Sequence, residues 1–89
     1  MKKIDGFVMR RLGQEAMIVA ESVDLIDFDR IVSLNSSAAY VWENLPDSDF
    51  TIQTIIYLLI DRYDVDEAVA RKDAEDLVKV WLKAGIITE

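Results

Sequence analysis

The sequence predicts a single α+β domain spanning residues 1–89, a three-stranded antiparallel sheet followed by a three-helix bundle. Two observations predict it. Short apolar runs with strand-like alternation all lie before Asn35, and 3.6-residue repeats begin directly after it. The chain has 89 residues, 52% of them hydrophobic, with no linker, repeat or low-complexity segment, which suits one small domain with its own core.

Residues 7–12 (FVMRRL) and 15–21 (EAMIVAE) read as a hairpin whose turn contains Gly13. Residues 22–29 (SVDLIDFD) carry three Asp and read as a connection, with a short extended piece at 23–26. Residues 30–34 form the third strand, in which Ile31, Val32 and Leu34 are apolar and Arg30 and Ser33 are not. This strand runs into a helix without a loop, and Asn35 sits at the junction, where an N-cap belongs. Helix one spans about 36–45, with Ala38, Val41, Trp42 and Leu45 on one face, and Pro46 stops it. Thr51 caps helix two, about 52–63, whose stripe of Ile52, Ile55, Ile56, Leu59 and Tyr63 is widened by Leu58 and Ile60. Asp66 caps helix three, which runs to about Ala84. Acidic residues come first and Lys79 and Lys83 last, as the helix dipole favours. Gly85 stands where a left-handed residue ends a helix, and Ile86 and Ile87 fold back onto the core or add a short strand.

Composition excludes several functions. Seventeen acidic against 10 basic residues give a net charge of −7, which opposes binding to nucleic acid or to an anionic membrane. Without Cys or His there is no disulfide, no thiolate metal site and no Ser-His-Asp or Cys-His nucleophile. The opening MKKIDGFV lacks a signal peptide's apolar run, and the apolar run at 55–60 is too short to span a bilayer, so a cytoplasmic location is expected.

The carboxylate pairs Asp27/Asp29, Asp64/Asp66 and Asp73/Asp76 lie in polar stretches or beside Lys and Arg, so they read as solvated residues and not as an acid–base pair. The DVDEA segment lacks the glycine and distal glutamate of a calcium loop. The scattered glycines build no phosphate loop, and Ser36 and Ser37 fit ordinary capping. No cofactor and no catalytic residue is expected. Trp42 and Trp81 sit on apolar helical faces and read as core, with ligand stacking as the alternative.

Helix three is more informative. Ala70, Ala74, Leu77 and Trp81 form its central stripe, with Val69, Asp73, Val80 and Ala84 on one shoulder and Val78 and Leu82 on the other. The apolar arc spans about 220°, against the ~100° a surface helix needs. One shoulder therefore packs on the domain, and the other is wet, lines a groove or is covered by Ile86 and Ile87.

The blocks Leu34-Asn35-Ser36-Ser37-Ala38, Val41-Trp42, Tyr63-Asp64-Val65-Asp66, Asp73 and Gly85-Ile86-Ile87 resemble, in content and spacing, the PqqD family. The resemblance covers residues 7–87, and the acidic segment 22–29 matches no family motif. It implies a winged-helix-like recognition domain, not an enzyme. Such a domain binds the leader of a ribosomally made precursor peptide and presents it to a modifying enzyme, often a radical SAM protein. The leader adds as a strand beside the third strand and lies against the third helix. In this sequence that assigns peptide binding to Ile31, Val32, Ser33 and Leu34 of the strand and to Asp73, Leu77 and Val80 of the helix. Two further readings stand beside it: a winged-helix DNA binder, which the acidic helix three opposes, and a structural subunit that forms a homodimer through its open sheet edge.

Overall fold

The computed structural model describes residues 1–20 and 31–89. Its elements are β1 (Lys2–Lys3), β2 (Phe7–Leu12), β3 (Glu15–Ala20), β4 (Val32–Leu34), α1 (Ser36–Asn44), α2 (Ile52–Tyr63), α3 (Glu67–Ala84) and β5 (Ile87–Thr88). The α+β architecture of a three-stranded antiparallel sheet followed by three helices is the one the sequence predicts.

β2 and β3 close a hairpin in which Leu12 opposes Glu15, so only Gly13 and Gln14 form the loop. Gly13 has φ +64°, the positive value a type II′ turn requires at its first central residue. The sheet order is β2-β3-β4, all antiparallel. The pairs Met9↔Ile18, Ile18↔Val32 and Ala16↔Leu34 put these side chains on one face. Ala16, Ile18 and Leu34 are buried there, and Phe7, Met9 and Val32 pack around them. β4 is shorter than the strand expected at 30–34: Ile31 precedes it, and Arg30 and the connection with its extended piece at 23–26 lie outside the described residues.

Asn35 caps α1 as expected. Its Oδ1 accepts the Ala38 amide at 2.8 Å and the Ser37 hydroxyl at 3.0 Å. Leu45 falls just past the helix end, its amide still donating to the Val41 carbonyl at 3.0 Å. Thr51 and Thr54 cap α2 reciprocally, each side-chain oxygen accepting from the other's backbone amide. Asp66 holds the cap position of α3 through its backbone alone: its carbonyl accepts from the Ala70 amide at 2.9 Å, but its side chain makes no capping hydrogen bond. The far end of α3 closes as a Schellman motif. Gly85, at φ +77°, donates to the Leu82 carbonyl, and Ile86 donates to that of Trp81.

The ends of the chain meet in a second sheet that the sequence reading does not contain. β1 pairs antiparallel with β5, Lys2 opposite Thr88 and Lys3 opposite Ile87. The Ile4 amide adds a bond to the Ile86 carbonyl at 3.0 Å, and Met1 exchanges two 2.7 Å hydrogen bonds with the Phe50 backbone. Ile86 and Ile87 thus do both things expected of them, being buried in the core while Ile87 joins a strand. The core is completed by Val41, Ile55, Ile56, Ala70, Ala74 and Trp81, and the Trp42 and Trp81 rings meet edge to face with centroids 5.3 Å apart. Tyr63 departs from the expected α2 stripe. It is exposed, its ring perpendicular to that of Tyr40.

Candidate functional site

β4 pairs with β3 along one edge, and among the described residues no strand pairs with its other edge. Alternate residues of an antiparallel edge strand turn N–H and C=O groups outward, where they seek a partner. Asn35 fixes where this edge stops, because its cap commits the next residues to α1.

Next to β4 lies a groove of about 280 Å³ between the strand end, the start of α1 and one side of α3. Ser33 and Leu34 come from β4, Ser37 and Ala38 from α1, and Leu59 from α2. The wall is Asp73, Asp76, Leu77, Val80 and Trp81 of α3. These five fall on one side of the helix because they repeat at three- and four-residue spacing. Ala70, Ala74, Val78 and Trp81 are the buried stripe of α3. The core-facing centre therefore includes Val78 where the sequence suggested Leu77. Ala70 and Ala74 are fully buried, and Leu77 is half-buried at the groove. Val80 is left 55% exposed and Val69 49% exposed, so Ile86 and Ile87 do not cover that shoulder.

Of the residues expected at a peptide site, Ser33, Leu34, Asp73, Leu77 and Val80 are brought together at this groove. Ile31 and Val32 are not in its lining. Ile31 is exposed ahead of the strand, and Val32 packs on the core. Their place in the site rests on backbone pairing alone. The sequence reading missed Ala38, Leu59 and Asp76. The first two sit on the apolar stripes of their helices, and Asp76 lies one turn beyond Asp73.

The wall is acidic. Asp76 meets Lys72 at 3.5 Å, but both are exposed, and such a pair is worth little in water. Asp73 and Asp76 thus set a negative rim beside the apolar surface of Leu77 and Val80. Chemically the groove can receive an extended chain. Backbone groups of that chain would complete the β4 ladder, and alternate side chains would face α3.

The other candidate residues have structural parts or lie in solvent. Ser37 serves the Asn35 cap. Both tryptophans are buried, although Trp81 also borders the groove. Asp64 and Asp66 are exposed, and Asp27 and Asp29 lie outside the described residues. Among the described residues no three potential metal ligands gather, and no helix is long and apolar enough to cross a membrane.

The family model described as "Coenzyme PQQ synthesis protein D (PqqD)" matches residues 8–87. No curated protein matches the chain significantly. A solved structure described as "TbiB1 in Complex with the TbiA(beta) Leader Peptide" is similar over 98% of this chain and 94% of that one, with TM-score 0.72 and 16% identity.

Proposed function

This chain belongs to the PqqD family, and from that premise we propose that it binds the leader segment of a ribosomally made precursor peptide and presents it to a modifying enzyme. The observation that carries the proposal is the edge of β4, unpaired among the described residues, beside a groove walled by Asp73, Leu77 and Val80. Further support comes from the structural neighbour, which was solved with a leader peptide. The leader adds as a strand along Ile31, Val32, Ser33 and Leu34, so affinity comes from backbone hydrogen bonds. Selectivity comes from apolar side chains set against Leu77 and Val80, and from a Lys or Arg near them that meets Asp73.

The chain acts as an adaptor and not as a catalyst. Without Cys or His it has few groups for covalent or acid–base work. The chemistry then belongs to the enzyme that takes up the peptide, with a radical SAM protein as the first candidate. Its place of work is the cytoplasm, where such a precursor is released from the ribosome.

The test is an NMR titration of the labelled chain with the leader of the precursor encoded beside it. Shifts in residues 31–34 and at Leu77 and Val80 are expected. A leader that binds without moving residues 31–34 would show the strand-addition reading to be wrong.

A further inference from the structure

A second cleft, of about 290 Å³, opens on a different face of α1. The groove uses Ser37 and Ala38 of that helix, whereas this cleft uses Ser36, Ala39, Tyr40 and Glu43, and the two share only Leu34 and Asn35. The hairpin contributes Arg11 to the cleft, and the end of α2 contributes Arg62 and Tyr63.

Its charges are distributed unevenly. Arg11 and Glu43 meet at 2.7 Å and neutralise each other. Arg62 makes no ion pair with any described residue. Its guanidinium carbon lies 5.8 Å from the ring centres of both Tyr40 and Tyr63, and the two rings stand 6.0 Å apart at 85°. Two aromatic faces near a guanidinium favour and orient it by cation–π attraction while leaving its N–H fork open. The result is a preorganised cation without a carboxylate partner among the described residues, on a chain of net charge −7. Arg and Tyr are also the residue types that concentrate binding energy at protein interfaces.

We propose that this cleft docks a carboxylate-bearing segment of the protein that receives the peptide. An Asp or Glu of that segment takes the open fork of Arg62, and a neighbouring aromatic side chain packs on Tyr40 and Tyr63. A protein segment fits better than a small metabolite because Arg62 and Tyr63 are exposed, whereas a metabolite site buries most of its ligand. The partner's role as peptide acceptor rests on the function proposed above, but the chemistry of the cleft does not. The two clefts have opposite signs, so a basic leader is repelled by the Arg62 cleft and an acidic docking segment by the Asp73 and Asp76 wall.

The probes are N-acetyl-Glu-Phe-amide and its uncharged twin N-acetyl-Gln-Phe-amide, each titrated into the labelled chain and followed by NMR. The expected result is saturable shifts at Arg62, Tyr40 and Tyr63, with the Glu probe binding at least fivefold tighter. Arg62→Gln should abolish that preference while leaving amide resonances away from the cleft in place, which shows the fold intact. Equal binding of the two probes, no saturable shift at these residues, or a preference that survives Arg62→Gln would overturn the proposal. N-acetylglutamate binding as tightly as the dipeptide would overturn the choice of a protein segment. Residues 31–33 lie outside the lining of this cleft and report the leader separately, so failure of one site is not mistaken for failure of the other.

Discussion

Asn35 shows how much one side chain settles. Its Oδ1 accepts from Ala38 and Ser37, which starts α1 and so ends β4. Asn35→Ala should cost about 1 kcal/mol of stability, the usual loss for a cap, whereas Asn35→Asp keeps the acceptor and should cost little; urea unfolding of the variants measures both. This residue was legible in the sequence because a cap is a local signal. Gly85 was legible for the same reason, and its φ of +77° means that Gly85→Ala should lose roughly 1 kcal/mol. Lys3 was not legible, since its environment is made by distant residues. Burial lowers its pKa below 10.5, against an opposing pull from Asp47, and its ammonium lies 4.9 Å from the centre of a Trp42 ring. The folded chain therefore holds this proton less tightly than the unfolded chain. Stability tied to Lys3 is lowest below the lowered pKa and rises with pH from there to 10.5. Lys3→Met should accordingly be more stable than the parent at pH 7, with the gain shrinking towards pH 10.5, as urea midpoints at several pH values will show.

At the scale of elements, β4 and α3 make different predictions. Successive residues of an antiparallel strand turn their backbone groups to opposite edges. Of Val32 and Ser33, one therefore bonds β3 and the other faces the open edge. Val32→Pro and Ser33→Pro should separate: one loses the fold, and the other keeps its circular dichroism spectrum but loses leader binding. On α3, Val80 is exposed, so Val80→Glu should leave stability within about 0.5 kcal/mol. The same change puts a charge on the apolar wall and should weaken leader binding about tenfold, or ~1.4 kcal/mol, by calorimetry. The wide apolar arc of α3 left room for a groove on one shoulder, and the resemblance to the PqqD family pointed to this helix as its wall. That Val78 and not Leu77 belongs to the buried stripe was not legible, because it depends on how α3 is seated on the rest of the fold. The Arg62 cleft was equally hidden. Arg11, Tyr40, Arg62 and Tyr63 come from three elements and follow no common period.

For the whole molecule, the two ends of the chain and its net charge matter most. Two-residue strands carry no periodicity, so the pairing of β1 with β5 had no sequence signal beyond the apolar Ile86 and Ile87. No residue of β1 or β5 lines the groove, and the pairing covers buried Ile86 and Ile87 and ties Met1 to Phe50. Removal of residues 1–4 should therefore lower the melting temperature by several degrees without removing the site. Charge acts across the whole surface. A net −7 with Asp73 and Asp76 on the groove wall attracts a basic leader and opposes the approach of a second acidic copy to the same edge. The Debye length shrinks from about 10 Å at 0.1 M salt to ~3 Å at 1 M, so attraction from charges beyond direct contact fades while backbone pairing persists. Leader affinity should then fall only partway, several-fold between 0.05 and 0.5 M salt by the ~1 kcal/mol scale of exposed charge pairs. Asp73→Asn should flatten that dependence. A homodimer through β4 should respond in the opposite direction, strengthening with salt as like charges are screened. Calorimetric titration of the leader beside sedimentation of the free chain, both across that salt range, reads the two trends together. If the leader's affinity is indifferent to salt, the acidic wall plays no part in choosing it.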